Sequence, residues 1–174
     1  LRQELALHLK SVSLHDLHAQ MDSLRYFKAA QVLRVAASEI AGVLPLMKVS
    51  DNLTFIAEVI LEQVLQIAWR DMVAKHGEPE IDSKGTGFCI IAYGKLGGLE
   101  LNYSSDLDLV FLYDAPAQGM TQGERAIDHA RFYTRLGQRI IHILETRMTL
   151  GILYEIDMRL RPSGNSGMLV ASVG

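Results

Sequence analysis

YGKLGGLELNYSSDLDLVFLYD occupies residues 93–114 and decides how the chain is expected to fold. It joins a glycine-rich segment to an apolar strand that opens on Asp106-Leu107-Asp108. Side chains alternate between the two faces of a strand, so Asp106 and Asp108 share one face while Leu107 and Leu109 enter the core. Neighbouring carboxylates repel each other unless a cation lies between them, and Mg²⁺ commonly bridges such groups to substrate phosphates. The pattern predicts metal-dependent phosphate chemistry at the start of this strand.

The glycines before the strand predict a loop that binds phosphate. Gly97 and Gly98 would let the backbone approach a phosphate closely. Their N–H groups, with the start of a short helix expected over residues 98–103, would form an anion-binding nest. Further candidate phosphate ligands in this segment are Ser104, Ser105 and Lys95. A solvated position in a turn would account for the lysine equally well.

A third acidic residue lies in ILYEIDMRL, residues 152–160, which we expect to be a strand. Its apolar and polar residues alternate, so Asp157 shares a face with Arg159 and Arg161. Asp157 could complete the metal site or accept the proton of an attacking hydroxyl, and the arginines could bind phosphate oxygens in bidentate fashion. A salt bridge between Asp157 and either arginine is the alternative. We expect the three carboxylates to converge and to share metal ions about 3.5–4 Å apart.

Residues 1–77 are predicted to form a helical lead-in that packs on the rest of the chain. Apolar residues recur at helical spacing over residues 13–46. A second long helix is expected to begin at Ser50 or Asp51, whose side chains could cap it, and to end near His76.

Residues 78–174 are predicted to form the catalytic core, so the chain as a whole reads as α+β. The expected elements are strands over residues 88–93, 107–113 and 152–160, a helix over residues 124–146, and a fourth strand that begins in residues 169–173. Two polar segments that contain glycine, residues 78–87 and 115–123, are expected to be loops.

Composition narrows the class of protein further. The 174 residues are 49% hydrophobic, enough for one sizeable domain, and the net charge of −3 argues against a nucleic-acid or anionic membrane partner. A single cysteine fits a reducing cytoplasm, and no apolar stretch approaches the roughly 18–20 residues that span a bilayer. We therefore expect a cytoplasmic protein. Because the chain lacks an initial methionine and ends on an apolar segment, we also expect it to be part of a larger protein.

Three stretches of the sequence resemble one known family. YGKLGGLELNYSSDLDLVFLYD and GILYEIDMRLRPSGNSGMLV, residues 93–114 and 151–170, are similar to the bacterial glutamine synthetase adenylyltransferases. LRYFKAAQVLRVAASEIAGVLPLMKVSDNLT, residues 24–54, resembles the same family. That family belongs to the DNA-polymerase-β-like nucleotidyltransferases. The resemblance implies a mixed sheet flanked by helices, with a helical segment in front of it.

The resemblance also implies a reaction. A tyrosine hydroxyl of glutamine synthetase would attack the α-phosphate of ATP, which gives an AMP–tyrosine diester and pyrophosphate. Asp106, Asp108 and Asp157 would carry magnesium, or manganese. By the same resemblance, a PII signalling protein and glutamine regulate the complete enzyme.

Two alternatives stay open at this point. The family carries two homologous catalytic domains, of which the N-terminal one removes AMP by phosphorolysis and the C-terminal one attaches it. Tyr93, GILYE before Asp157 and RPSGNSGMLV at residues 161–170 resemble the C-terminal domain, which favours adenylylation. The other alternative is a catalytically silent module that docks glutamine synthetase or the PII protein, although a docking module has no use for repelling carboxylates. The near-neutral charge disfavours a template-directed polymerase.

Overall fold

A computed structural model describes residues 1–81, 85–116 and 118–173 of the chain. These residues form helices followed by a small mixed sheet with further helices, which confirms the α+β class and is consistent with a polymerase-β-like fold. Parts of the two expected loops, residues 82–84 and 117, and the final residue of the expected core, Gly174, lie outside the described residues.

The first part of the chain is helical, as predicted. Its helices are α1 (Arg2–Lys10), α2 (Leu17–Ile40) and α3 (Leu46–His76). The Asp16 carboxylate caps α2 by accepting a hydrogen bond from the amide of Ala19 at 2.9 Å. The expected caps of α3, Ser50 and Asp51, are wrong, because both lie inside the helix. α3 begins directly after Pro45, which has no N–H group to satisfy and whose carbonyl accepts from the amides of Lys48 and Val49 at 2.8 and 3.1 Å.

A mixed sheet forms around the central strand β2 (Leu107–Tyr113). Its neighbours in the described part of the chain are β1 (Phe88–Ala92), β3 (Ile156–Asp157) and β4 (Val170–Ser172). β1 pairs antiparallel to β2, whereas β3 and β4 both run parallel to it, at its start and its end respectively. A short helix, α4 (Gly94–Gly97), follows β1, and the longer α5 (His129–Glu145) packs on the sheet.

The predicted strand over residues 152–160 is much shorter in the structure, where only Ile156–Asp157 pair with β2. The Asp157 carboxylate accepts a hydrogen bond from the backbone amide of Arg159 at 2.8 Å, which turns the chain away from the sheet. Leu160, expected on the apolar face, is 56% exposed as a result. The expectation of a regular two-faced strand is therefore wrong beyond Asp157.

α5 also starts later than the predicted residue 124. The Asp128 side chain accepts a hydrogen bond from the amide of Arg131 at 2.8 Å and so fixes the helix start at His129. None of the helices described for this chain is long and apolar enough to cross a membrane.

One hydrophobic core joins the helical part to the sheet. Trp69 of α3 meets Phe132 of α5 edge to face, with ring centroids 5.4 Å apart. The fully buried Tyr133 stacks on Tyr113 and donates its hydroxyl to the carbonyl of Thr86 at 2.8 Å. Burying one such side chain contributes about 1.5–3 kcal/mol, so each part stabilises the other. The division into a lead-in (residues 1–77) and a catalytic core (residues 78–174) stays a prediction.

The guanidinium of Arg25 fastens α2 to the end of α5. Arg25 is only 2% exposed. Its Nη2 donates to the carbonyls of Ile143 and Thr146 at 3.1 and 2.5 Å, and its Nε donates to the carbonyl of Gly151 at 2.9 Å. The last carbonyls of a helix have no partner within it, so Arg25 supplies donors that α5 lacks.

Lys28, on the same side of α2 as Arg25, contacts the residues that follow Gly151 on the way from α5 to β3. Its Nζ donates to the carbonyl of Leu153 at 2.5 Å and lies 3.7 Å from the ring centroid of Tyr154. Burial, with a smaller effect of the charge on Arg25, lowers the pKa of Lys28 to about 8. Together the two cations fix residues 143–154, the segment that leads into β3.

We predict that Arg25→Met lowers the free energy of unfolding by about 3 kcal/mol, because it leaves buried carbonyls without donors. Urea unfolding followed by circular dichroism measures the change. Arg34→Met is the matched control, since Arg34 is exposed and pairs with Glu4 at the surface, and it should change the stability little. Equal midpoints for the two variants would show that Arg25 is not a structural anchor.

Candidate functional site

Asp106 and Asp108 lie at the start of β2, on the side that faces away from the core, as predicted. Leu107 and Leu109 are fully buried, whereas Asp106 is exposed and Asp108 is half-buried. The alternation of a strand therefore places both carboxylates on one face.

Gly94 makes room for the carboxylate of Asp108, a requirement that the sequence analysis missed. A Cβ atom on Gly94 would lie 2.0 Å from Oδ2 of Asp108. The residue also has a φ of +54°, which L side chains rarely adopt. The adjacent amide of Tyr93 donates to the Asp108 carbonyl at 2.9 Å, so the turn after β1 and the second aspartate are built around each other.

Asp157 lies directly beside Asp108 on the neighbouring strand. β3 is parallel to β2, and its register pairs Asp108 with Asp157. Neighbouring strands are about 4.8 Å apart, and paired residues of a parallel ladder point to the same face. Asp157 therefore lies on the same face of the sheet as Asp106 and Asp108.

Arg159 holds the carboxylate of Asp157. Its backbone amide and its Nε donate to Asp157 at 2.8 and 2.7 Å, and its Nη2 donates to the same carboxylate. The side-chain hydrogen bond from Arg159, and then the backbone one, lower the pKa of Asp157. Asp157 in turn raises the pKa of Arg159, with smaller contributions from the charges of Asp106 and Asp108. The guanidinium thus acts as the counter-charge for all three acids.

A cavity of about 430 Å³ opens beside these residues. Its charged lining residues are Asp106, Glu145, Glu155, Asp157, Arg159 and Arg161. Arg161 is half-buried, and its Nη1 donates to the carbonyl of Met158 at 2.9 Å. Glu145, the last residue of α5, was not predicted to belong to the site; its carboxylate accepts from the amide of Ile156 at 3.3 Å. No sequence pattern links the end of this helix to β3.

Within residues 1–81, 85–116 and 118–173, no three carboxylate, imidazole or thiol groups stand close enough to enclose one metal ion. The three aspartates therefore do not form a closed metal-binding group in this arrangement, in which the side chain of Arg159 is hydrogen-bonded to Asp157. The assignment of Asp106, Asp108 and Asp157 as metal ligands stays a prediction.

The glycine loop differs from the prediction. The short helix spans Gly94–Gly97, not residues 98–103. The amides of Gly97 and Gly98 donate to the carbonyls of Tyr93 and Gly94, each at 3.0 Å, so they do not form the expected nest. A Cβ atom on Gly97 would lie 2.6 Å from the Ala92 carbonyl oxygen, whereas one on Gly98 would meet nothing closer than 3.4 Å. Gly97 is thus needed for packing, and Gly98 is not.

Asn102, whose role was also not predicted from the sequence, organises the segment before β2. Its Oδ1 accepts from the hydroxyl of Ser105 at 2.7 Å and from the amide of Ser104 at 3.2 Å. Ser105 is therefore engaged within the turn. Tyr103 donates its hydroxyl to Glu39 of α2 at 2.5 Å, and this bond raises the pKa of Tyr103 to about 12.

Lys95 lies on the exposed side of α4. Its role as a phosphate ligand, like those of Gly97, Gly98, Ser104, Ser105, Arg159 and Arg161, stays a prediction.

Comparison with known proteins identifies the family. The whole chain, residues 1–174, matches the family described as glutamate-ammonia ligase adenylyltransferase. A protein from Pseudomonas putida named bifunctional glutamine synthetase adenylyltransferase/adenylyl-removing enzyme is 58% identical over 178 residues, which cover 100% of this chain. The chain spans 18% of the length of that relative. On both the family match and the identity, the chain belongs to the glutamate-ammonia ligase adenylyltransferase family.

Proposed function

We propose that this chain is a catalytic domain that transfers AMP from ATP to a tyrosine hydroxyl of glutamine synthetase and releases pyrophosphate. The observation that carries the proposal is the in-register pairing of Asp108 with Asp157 on the face that Asp106 also occupies. The family and the name of the 58% identical relative support glutamine synthetase as the acceptor.

The three aspartates are the residues that would hold a divalent cation. Their oxygen donors suit Mg²⁺ or Mn²⁺, and the excess of acids over arginines around the cavity favours a cation there. Such an ion would polarise the phosphate and stabilise the charge that develops on it.

The remaining chemistry falls to side chains of this chain. The tyrosine oxygen forms a bond to the α-phosphorus as the bond to the bridging oxygen of pyrophosphate breaks. Asp157 lies at the edge of the cavity and could take the proton that the hydroxyl loses. Arg159 and Arg161 present N–H donors to the departing phosphates, which requires Arg159 to leave Asp157.

A second candidate function is the removal of AMP by phosphorolysis. The name of the relative includes both activities, and the glycine and aspartate motifs resemble both catalytic domains of the family. The sequences that flank Asp157, GILYE before it and RPSGNSGMLV after it, resemble the adenylylating domain of the family and favour adenylylation. The PII protein and glutamine are proposed as regulators of the complete enzyme through the same resemblance.

We predict that label passes from α-labelled ATP to unmodified glutamine synthetase when divalent metal is present. Asp106→Asn and Asp108→Asn should each lower the rate by about a hundredfold or more, because each removes a metal-binding charge at nearly constant volume. Asp114→Asn, the same change at the other end of β2, should leave the rate unchanged. Near-normal rates in both aspartate variants would disprove the metal site.

The direction of the reaction is tested with adenylylated synthetase and inorganic phosphate. Release of ADP in this assay, without transfer from ATP in the first, would replace adenylylation by the removal activity.

We predict that Gly98→Val weakens ATP binding about tenfold, a cost of about 1.4 kcal/mol, because a β-branched side chain blocks the approach of a phosphate. The variant should fold, since the space around Gly98 admits a Cβ atom. Calorimetric titration measures the affinity, and Gly98→Ala should have a smaller effect. If folded Gly98→Val bound ATP normally, the loop would not be the phosphate site.

We predict that Arg159→Gln raises the affinity for Mn²⁺ severalfold in the absence of nucleotide, because it frees Asp157, and lowers the affinity for ATP. Because the pKa of Asp157 is lowered, the ion pair persists to a lower pH than an ordinary aspartate would allow, and it is lost as the pH falls through that lowered value. Titration followed by electron paramagnetic resonance measures Mn²⁺ binding, with Arg159→Lys as the control that keeps the charge.

Asp157→Asn completes this series. A loss of Mn²⁺ affinity would identify Asp157 as a ligand, whereas unchanged affinity with slower transfer would identify it as the base. Unchanged Mn²⁺ affinity in Arg159→Gln would contradict competition between Arg159 and the metal.

A further inference from the structure

A second cavity, of about 330 Å³, lies between the end of α3 and the middle of α5. Its lining includes Lys75, His76, Arg135, Arg139 and His142. Among the described residues, no acidic side chain lines it, and it shares no lining residue with the cavity beside the aspartates. In a chain with a net charge of −3, this concentration of basic groups is a local feature that needs its own explanation.

His76 orients the guanidinium of Arg135. Nη1 of Arg135 lies 3.2 Å from Nε2 of His76, and Nδ1 of His76 lies 2.9 Å from the carbonyl oxygen of Arg125. Arginine can only donate, so Nε2 must accept, and Nδ1 must carry the proton that it donates to the carbonyl. In this contact Nε2 of the imidazole is the acceptor, and it positions Arg135 at the wall of the cavity.

The charge of the cavity is only partly balanced. Asp71 pairs with Lys75 at 3.0 Å and with Arg139 at 2.8 Å. One carboxylate thus faces three permanent cations, the two it pairs with and Arg135. Two positive charges are left in excess, on side chains that are already held in place. A cluster of this kind repels itself unless an anion balances it.

We propose that this cavity binds a compact dianion that carries phosphate or carboxylate groups. Guanidinium groups recognise both through paired N–H donors. The volume lies at the lower end of the range of about 300–1,000 Å³ for small-molecule sites, so the ligand is small. The site is separate from the proposed transfer reaction and does not depend on it.

Calorimetric titration of the metal-free protein with inorganic phosphate, malonate and succinate tests the proposal. At least one of these anions should bind with a stoichiometry of one. Arg135→Gln and Arg139→Gln should each weaken that binding by about tenfold. Comparison of the affinities for phosphate and for succinate shows whether the ligand carries phosphate or carboxylate groups.

Two controls locate the binding. Arg34→Gln, the same change on an exposed face of α2, should leave the affinity unchanged. Arg159→Gln should also leave it unchanged, because Arg159 belongs to the other cavity. Arg135→Lys keeps the charge and should retain part of the affinity, which separates loss of binding from loss of folding.

Three outcomes would overturn the proposal. The first is that none of the three anions binds at millimolar concentration. The second is equal affinity in the wild-type protein and in both cavity variants. The third is a loss of affinity in Arg159→Gln rather than in Arg135→Gln, which would assign the anion to the acidic cavity instead.

Discussion

Two carbonyl groups at the end of α5, those of Ile143 and Thr146, must find donors outside the helix, and the buried guanidinium of Arg25 supplies them. A buried carbonyl without a hydrogen-bond donor lowers the stability of the fold by about 1–3 kcal/mol. The packing of α2 against this end of α5 avoids that loss. The same guanidinium holds Gly151, on the path from α5 to β3. The position of Asp157 thus depends on a residue of the helical part of the chain. This explains why helices that contribute no acidic ligand belong to the same packed unit as the site.

Gathering three acids on one sheet face creates a conflict between the resting fold and its chemistry. Without a counter-charge, the carboxylates repel each other, and Arg159 supplies that charge from two residues away. The ion pair that balances this charge also occupies the group that a cation would need. Binding of a cation by Asp157 and pairing of Asp157 with Arg159 are therefore opposed at this site.

The order of the strands and of the three longest helices, and the shared face of Asp106 and Asp108, were predictable, because both follow from local periodicity. The short β3 was not, because its length is set by the Asp157 side chain bonding to the backbone two residues on. Gly94 could not be singled out from its neighbours, since what excludes a side chain there is a carboxylate on another strand. Glu145 became part of the site only through the packing of α5 on β3. Patterns along the chain predict the face of a strand or helix on which a residue lies, but not which residues from distant parts of the sequence contact it.

The separation of the contacting residues along the chain has a consequence for how the molecule folds. Arg25 and the carbonyl it holds at Gly151 are 126 positions apart. Closing a loop of that length costs entropy before any contact can offset it, whereas the helices form from neighbours in sequence. Distant contacts of this kind slow folding. We therefore expect the segment that leads into β3 to be fixed late, after the helices have formed, so that a partly folded molecule would not yet hold Asp157 beside Asp108.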